Sequence, residues 1–335
     1  MGYLTDLSSS WMVIAASFLV LNFLVDNGRV EAMYLGLPGL APVSFCQEKL
    51  AILKNDTDEA CKSTIDVYVN RLDSVENAIS YEYDRYDFCQ VEGRLSPSEN
   101  LGQVVFGERI RPSPYTFTFN KTENCQKVCT KTYKVDKKDG DKEDKAKLNL
   151  LKKAVSFNYQ HHWIIDNMPV TWCYEVQTFD ANGRSEYCSP GFPVGCFVDA
   201  DGNRKDACVI DQRYGGKNSY YIFNHVNIEL EYHPILKDGE EEANSVARLV
   251  RARIVPFSIK QTMKGDEIVS CSPSNEGEGS GLSIPGGSQD IGDVKEISIT
   301  YSYNLSFTKN FSVSWASRWD YLLDQMTDVS INWFR

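Results

Sequence analysis

The amino-acid sequence predicts a mainly β fold: an antiparallel, β-sandwich-like domain with a few short helices. Three observations favour this class. After residue 100 the chain contains many short runs of Val, Ile, Tyr, Phe and Thr, the side chains that pleated sheets prefer. Every odd position of Ile297–Phe307 is apolar or aromatic, which is the period of a strand with one buried face. Strands and helices do not alternate regularly, so a parallel α/β sheet is disfavoured.

The predicted elements follow in chain order. Ile65, Val69, Leu72, Val75 and Ile79 recur at helical spacing, so we expect an amphipathic helix within residues 60–79. Strands are expected at Gln103–Phe106, Tyr115–Phe119, Val170–Val176, Tyr220–Tyr232, Ala247–Phe257 and Glu296–Phe307.

Two polar stretches interrupt these strands. Residues 134–153 contain eight lysines and five acidic residues, which predicts a solvated loop followed by a charged helix, Asp141–Val155. That helix is expected to bury Leu148, Leu151 and Val155. Residues 272–293 are rich in glycine and predict a flexible loop between two strands.

One strongly apolar segment, residues 11–25, lies near the N-terminus. As a helix it would span about 22 Å, short of the roughly 30 Å of a bilayer core. Val30 and Ala32 carry small side chains where a signal peptidase requires them. We therefore predict a signal peptide over residues 1–32 and a β-rich domain over residues 33–313, as one unit or as two packed sub-domains. No Lys or Arg occurs in the first ten residues, so a buried helix and an uncleaved anchor remain alternatives.

The charge balance disfavours nucleic acid as a partner. The chain holds 35 Lys and Arg against 46 Asp and Glu, a formal net charge of −11. Removal of residues 1–32 would leave a net charge of −9, since that stretch holds one Arg and three acids. A chain of this sign repels phosphate backbones.

The cysteines and glycosylation sequons indicate an oxidising compartment. Ten cysteines follow residue 32: Cys46, Cys61, Cys89, Cys125, Cys129, Cys173, Cys188, Cys196, Cys208 and Cys271. They form no Cys-x-x-Cys motif and no zinc-ligand spacing, so disulfides are expected, although spacing does not determine the pairing. Four acceptor asparagines agree with a luminal or extracellular chain: Asn55, Asn120, Asn304 and Asn310.

Catalytic and cofactor motifs are absent from the sequence. It contains no nucleophile elbow, no phosphate-binding loop, no dinucleotide fingerprint and no zinc-protease motif. Of the four histidines, His161 and His162 would diverge on a strand, and His225 and His233 lie about 26 Å apart along one. We expect packed histidines, no catalytic, metal or cofactor residues, and no enzyme activity.

The C-terminal segment, residues 314–335, is amphipathic and aromatic. Its candidate membrane-proximal residues are Trp315, Arg318, Trp319, Tyr321, Trp333 and Phe334. Ser317–Met326 has the pattern of a short amphipathic helix. Trp and Tyr concentrate at membrane interfaces but also in helices that dock on a core, so composition alone supports both interpretations equally.

Several long strings resemble the nonaspanins, the transmembrane 9 superfamily. They are Asn70–Glu76, Tyr81–Tyr83, Ser98–Ile110, Asn158–Cys173, Gly191–Cys196, Tyr221–Val226 and Trp315–Asp324. The resemblance runs over residues 34–335. It implies the non-cytosolic N-terminal domain of a Golgi and endosomal membrane protein, followed by nine transmembrane helices. It also makes residues 314–335 a juxtamembrane segment and brings no catalytic residues.

The resemblance implies a non-catalytic luminal domain that helps to sort and localise other membrane proteins. The implied partners are its own transmembrane part, cargo membrane proteins and the membrane interface at the C-terminus, with no cofactor. Two alternatives stay open. Trp163 and Trp172 beside Asp166 would suit a luminal glycan-binding or glycan-active domain. The second alternative is a domain that regulates a small-molecule or ion transport pathway.

Overall fold

A mixed six-stranded sheet organises the chain. The structure is a computed structural model that describes residues 43–54, 61–91, 93, 105, 107–135, 142–177, 184–211, 213–235, 246–265, 267–271, 281–286, 296–320 and 322. The strands are β1 Thr64–Val69, β2 Arg111–Thr118, β3 Glu123–Lys134, β4 Gln160–His161, β5 Trp163–Ile165, β6 Met168–Pro169, β7 Thr171–Gln177, β8 Arg184–Pro190, β9 Phe192–Pro193, β10 Gly195–Val198, β11 Arg204–Lys205, β12 Ser219–Ile222, β13 His225–Ile235, β14 Val246–Phe257, β15 Thr262–Lys264, β16 Glu267–Ser270, β17 Ser283–Pro285 and β18 Glu296–Lys309. The described helices are Glu48–Lys54, Lys142–Ser156 and Ala207–Ile210, with 3₁₀ turns at Tyr83–Arg85 and Trp315–Ser317.

The central sheet has the order β3-β18-β13-β14-β7-β8. Strand β18 runs antiparallel to β3 but parallel to β13, and β14 runs parallel to β7. The mainly β, sandwich-like fold is therefore confirmed, whereas Ile297–Phe307 does not lie in a purely antiparallel sheet. The alternation of that strand reports which face is buried, and it carries no information about the direction of its neighbours.

A second sheet, β2-β1-β5-β6, covers the inner face of the central sheet. Aromatic rings join the two layers: Tyr115 and Phe117 lie 5.8 and 5.2 Å from the Tyr303 ring, and Phe119 lies 5.2 Å from Tyr232. Offset and edge-to-face contacts of this kind are the preferred geometries for ring pairs. The main hydrophobic core therefore lies between the two layers.

The charged helix forms as predicted, over Lys142–Ser156, and it buries Leu148, Leu151 and Val155. It packs against β3 and β10. Its Glu143 and Asp144 lie in the first turn, where their negative charges interact favourably with the positive end of the helix dipole.

A smaller sheet, β11-β10-β12-β17, holds a second core around Tyr214, Tyr221 and Phe223. Gly195 of β10 is required here, because a Cβ at this position would collide with the Tyr221 carbonyl oxygen. Trp172 contacts both cores and so connects the smaller sheet to the central one.

Three further sequence expectations were wrong. Residues 60–79 contain strand β1 rather than a helix, because Ile65, Val67 and Val69 alternate onto one buried face and are β-branched. Val75 and Ile79, which completed the helical spacing, are exposed. The predicted single strand Tyr220–Tyr232 is broken into β12 and β13. The break coincides with the Asn224 side chain, which bonds the backbone of Ile259 and Thr300.

The third correction concerns residues 272–293, predicted to be a flexible loop. Within it, β17 pairs with β12 and Ile284 is fully buried. The remaining residues of that range, the predicted signal peptide at residues 1–32, and all of Gln103–Phe106 except Val105 lie outside the described residues.

Candidate functional site

Beyond β18 the chain turns back along the outer face of the central sheet. Asn310 fixes this turn, because its Oδ1 accepts hydrogen bonds from the backbone N–H groups of Ser312 at 2.9 Å and Val313 at 3.1 Å. The Asn310 Nδ2 donates to Glu231 Oε2 at 2.7 Å, and its N–H donates to the Tyr232 carbonyl at 2.9 Å. The start of the C-terminal segment is thus held firmly to β13.

Trp315 is the centre of the described C-terminal segment. The 3₁₀ turn Trp315–Ser317 packs on β14. The Arg318 guanidinium lies 3.7 Å from the centroid of the Trp315 ring. The guanidinium of Arg248, on β14, lies 5.8 Å from the same centroid. Guanidinium groups over a tryptophan ring are attracted by its π face. Arg318 also lies 6.0 Å from the Trp319 ring, which is 38% exposed.

The structure therefore brings together three of the six candidate membrane-proximal residues, Trp315, Arg318 and Trp319. The described backbone here is a 3₁₀ turn followed by a turn at residues 318–319, with helical backbone at Asp320 and Leu322. Tyr321, Trp333 and Phe334 lie outside the described residues.

The outer face of β13 and β14 is polar and internally paired. Glu231 is 8% exposed and lies 3.4 Å from Arg251 and 3.7 Å from Arg253. Arg253 reaches Glu186 on β8 at 3.6 Å. Burying Glu231 without such partners would be costly, so these contacts offset the cost of placing this charge on the sheet face. Sequence reasoning missed this face, although polar residues alternate with apolar ones along Asn227–Tyr232.

Asp166 is a partly buried carboxylate near the C-terminal segment. Its Oδ2 is sealed from solvent and has no hydrogen-bond partner among the described residues. Burial raises the pKa of Asp166 to about 7, although the positive charges of Arg318, Lys62 and Arg248 act in the opposite direction. Asp166 entered the sequence reasoning only as a neighbour of Trp163, and no sequence pattern placed it near Arg318.

All ten cysteines form disulfides. The pairs are Cys46–Cys61, Cys89–Cys129, Cys125–Cys271, Cys173–Cys188 and Cys196–Cys208. The bond between Cys125 and Cys271 closes the longest loop, with a sequence separation of 146. Glu186 lies close to Cys173 and Cys188, but sulfurs that are bonded to each other cannot bind a metal as thiolates.

The described sequons differ in their surroundings. Asn120 is exposed in the turn between β2 and β3, with a positive φ of 58°. Asn304 on β18 is half-buried: its Nδ2 donates to Asn227 at 2.8 Å and its Oδ1 accepts from the Cys125 N–H at 2.6 Å. The Asn310 amide is bonded as described above. Asn55 lies outside the described residues.

Two of the histidines are buried. His225 Nδ1 lies 2.7 Å from Ser302 Oγ, and its Nε2 lies 3.1 Å from Asn227 Oδ1. Burial lowers the pKa of His225 to about 4. His225 and Ser302 are at most 1% exposed, so no substrate reaches this pair and the contact is structural.

His161 packs among the rings of Phe88, Trp163 and Phe192, and burial lowers its pKa to about 3. Trp163 itself is only 3% exposed, so it cannot stack on a sugar as the glycan hypothesis required. Trp172 is half-buried between the two cores.

No helix among the described residues is both long enough and apolar enough to cross a membrane.

The comparisons with known proteins find one family. The profile described as Endomembrane protein 70 matches residues 80–335. Transmembrane 9 superfamily member 2 of Homo sapiens is 46% identical over 96% of this chain, and that of Mus musculus is 47% identical over 96%. Transmembrane 9 superfamily member 10 of Arabidopsis thaliana is 28% identical over 95%. No solved structure matches the chain.

These relatives are much longer than the chain, which spans 43%, 43% and 42% of their lengths respectively. Their names are those of membrane proteins and not of enzymes. The profile match begins after β1 and covers most of the chain, including the central sheet and the C-terminal segment. The chain belongs to the Endomembrane protein 70 family, the transmembrane 9 superfamily of membrane proteins.

Proposed function

We propose that this chain is the non-catalytic luminal domain of a Golgi and endosomal multi-spanning membrane protein, and that it helps to sort and localise other membrane proteins. Residues 1–32 would direct the chain into the secretory pathway, and residues 314–335 would lead into the membrane. The partners are its own transmembrane part and cargo membrane proteins.

The observation that carries the proposal is the outer face of the central sheet. On this face Glu231 is paired with Arg251 and Arg253, and Arg248 of the same strand β14 lies over the Trp315 ring. A rigid polar surface beside a membrane-proximal segment suits recognition of a partner held in the same membrane.

Two further observations support it. Five disulfides suit an oxidising compartment such as the secretory lumen. The pair that comes nearest to a catalytic arrangement, His225 with Ser302, is sealed inside the fold. These residues therefore favour a binding role over a chemical one.

The test uses cells that lack the full-length protein. They are complemented with the full-length form, with a form whose signal peptide is joined directly to the transmembrane part, and with a full-length form carrying Glu186→Lys and Glu229→Lys. Glu186 is exposed and Glu229 is half-buried on the outer face. The matched control is Glu143→Lys on the exposed side of the helix Lys142–Ser156.

Surface proteins are then labelled and quantified by mass spectrometry. We expect the full-length and Glu143→Lys forms to restore the normal distribution of membrane proteins, and the other two forms to fail. Complete restoration by the transmembrane part alone would show that the luminal domain has no part in sorting.

A further inference from the structure

The disulfide Cys173–Cys188 differs from the other four in its place in the fold. Its two cysteines lie directly opposite each other on the paired antiparallel strands β7 and β8. In the described part of the chain, no other disulfide joins two residues that pair with each other in a strand ladder. Seven residue pairs align β7 with β8, so the register of these strands does not depend on the bond.

The strand pairing also brings the two backbones unusually close for a disulfide. The Cα atoms of Cys173 and Cys188 are 4.0 Å apart, whereas those of the other four pairs are 5.4–5.9 Å apart. Disulfides ordinarily hold their Cα atoms roughly 4.4–6.8 Å apart, and bonds outside that range are more easily reduced. Directly opposite residues of an antiparallel ladder lie about 4.5 or about 5.5 Å apart, so the sheet itself imposes a short separation. The fold therefore holds this bond in a geometry that favours its reduction.

The bond lies at one edge of the central sheet, where a reductant reaches it. Strand β8 ends the sheet and, among the described residues, pairs with β7 alone. Cys173 is half-buried and Cys188 is only 6% exposed, so an attacking group reaches the Cys173 side more easily. Cys125 and Cys129 are half-buried as well. Exposure alone therefore does not distinguish this bond, and its position in the ladder does.

Two charged groups of the outer face lie beside the sulfur atoms. A carboxylate oxygen of Glu186 lies within 4.8 Å of both sulfurs, and Arg253 lies 3.6 Å from Glu186. A carboxylate alone would repel an incoming thiolate, and the guanidinium offsets part of that repulsion. The bond is also connected to the outer face through this ion pair, because Glu186 belongs to β8 and Arg253 to β14.

We propose that Cys173–Cys188 is a redox-active site, the disulfide that a dithiol reductant opens first while the rest of the domain stays folded. The partner is a molecule that carries two neighbouring thiols. Once the bond is open, β8 is held by its ladder alone, and the contact between Glu186 and Arg253 weakens. The site is a property of the chain itself, whereas any control of cargo binding by it rests on the function proposed above.

The exchange takes two steps. A thiolate of the reductant attacks the Cys173 sulfur and forms a mixed disulfide, while Cys188 leaves as a thiolate and takes a proton from water. The second thiol of the reductant then loses its proton and attacks the reductant's own sulfur in the mixed disulfide, which releases Cys173 as a thiolate that is protonated in turn. The chain gains two electrons and two protons, and the reductant loses the same number and becomes a disulfide.

Stepwise reduction of the purified full chain tests the site. The native chain is equilibrated in mixtures of reduced and oxidised dithiothreitol, its free thiols are blocked with a maleimide, and the remaining disulfides are reduced in denaturant and labelled with a heavy maleimide. Peptide mass spectrometry then gives the reduced fraction of each bond. We expect Cys173–Cys188 to be half reduced at a ratio of reduced to oxidised reagent at least about tenfold below that of any other bond, a difference of about 30 mV.

The bond Cys46–Cys61 supplies a matched control. It spans the same sequence separation of 15, but its Cα atoms are 5.8 Å apart and both of its cysteines are buried. The double variant Cys173→Ser/Cys188→Ser should lose the earliest reduction step and keep the other four. The double variant Cys46→Ser/Cys61→Ser should keep the earliest step.

Hydrogen exchange shows what the first step does to the fold. At the ratio that opens Cys173–Cys188 in the native chain, we expect faster exchange in peptides that cover β8 and unchanged protection in peptides that cover β13. Loss of protection in β13 at that ratio would mean that the bond opens only when the sheet unfolds, and it would overturn the proposal.

Reduction of Cys173–Cys188 together with another bond, or after one, would also overturn it. The native chain alone gives this order of reduction, so the result does not depend on whether a serine variant folds. Because the measurement uses neither cargo nor membrane, a negative result leaves the sorting proposal standing. Equally, failure of the cell assay leaves the order of reduction unaffected.

Discussion

At the scale of single residues, the buried histidines make the fold sensitive to acid. His161 and His225 keep pKa values of about 3 and about 4 in the folded chain, whereas an unfolded histidine titrates near 6.5. The unfolded chain therefore binds more protons than the folded chain between about pH 4 and 6.5. The stability that comes from keeping these rings neutral is present above this window and is lost as the pH falls through it.

We expect the free energy of unfolding to fall by up to about 1.4 kcal/mol per pH unit for each buried histidine below pH 6.5. The contribution of Asp166 has the opposite sign and offsets that of one histidine. Because its pKa is raised in the folded chain, protonation of Asp166 stabilises the fold over the same pH window. His161→Phe should flatten the slope, since the ring stays in the aromatic cluster without a titrating group. Urea denaturation at pH 7.5, 6 and 5 measures this slope in the native chain and in the variant. An unchanged slope in His161→Phe would contradict the assignment.

The sequons give a second prediction at this scale. A glycan on Asn304 or Asn310 would replace the amide hydrogen that bonds Asn227 or Glu231, whereas Asn120 is exposed. We expect a glycan on Asn120 in the secreted, folded chain, and bare amides at Asn304 and Asn310. Glycopeptide mass spectrometry decides this, with Thr122→Ala as the control that removes the Asn120 sequon. Full occupancy of Asn304 would contradict the structure.

At the scale of elements, the disulfides differ in what they restrain. Cys125–Cys271 joins β3 to the end of β16 across a separation of 146 residues, whereas Cys173–Cys188 joins the adjacent strands β7 and β8 across 15. By loop-closure entropy these bonds are worth roughly 5 and roughly 3 kcal/mol. The long-range bond should therefore matter more.

Replacing both cysteines of a pair by alanine tests this ranking. We expect the variant without Cys125–Cys271 to lose about 2 kcal/mol more stability than the variant without Cys173–Cys188. Denaturant unfolding under non-reducing conditions measures the difference. Equal losses would mean that the remaining disulfides already restrain the long loop.

The sequence predicted an element well where the apolar side chains recurred with a single period. Glu296–Lys309 and Lys142–Ser156 have clear periods of two and of about four, and both formed close to their predicted bounds. Ile65 and Val69 fit both a helical period and a period of two, and the β-branched Ile65, Val67 and Val69 favoured a strand. Sheet partners could not be predicted, because strand direction depends on how the connecting chain is routed.

The candidate site was predicted only in part for the same reason. Trp315, Arg318 and Trp319 are close in sequence, so their composition was enough to single them out. Asp166 and Arg248 come from distant elements, and only the tertiary fold brings them to the segment. Likewise the even number of cysteines indicated disulfides, but the pairing required the fold.

At the scale of the whole molecule, the two faces of the central sheet have different roles. The inner face is filled by aromatic rings and packs against the second sheet, which accounts for most of the buried apolar surface. The outer face is charged and continues into the C-terminal segment. The core thus lies on one side of these strands and the charged side chains lie on the other, so the outer charges can be substituted without removing side chains from the core.

The position of β18 has a consequence for how the chain is made. Among the strands of the described residues this one comes last in the sequence, yet it lies second in the central sheet, between β3 and β13. The sheet therefore remains open between those two strands until residue 309 has left the ribosome. Long-range pairings of this kind form slowly and leave apolar surface exposed in the meantime. Completion of the central sheet must therefore wait until β18 has been synthesised.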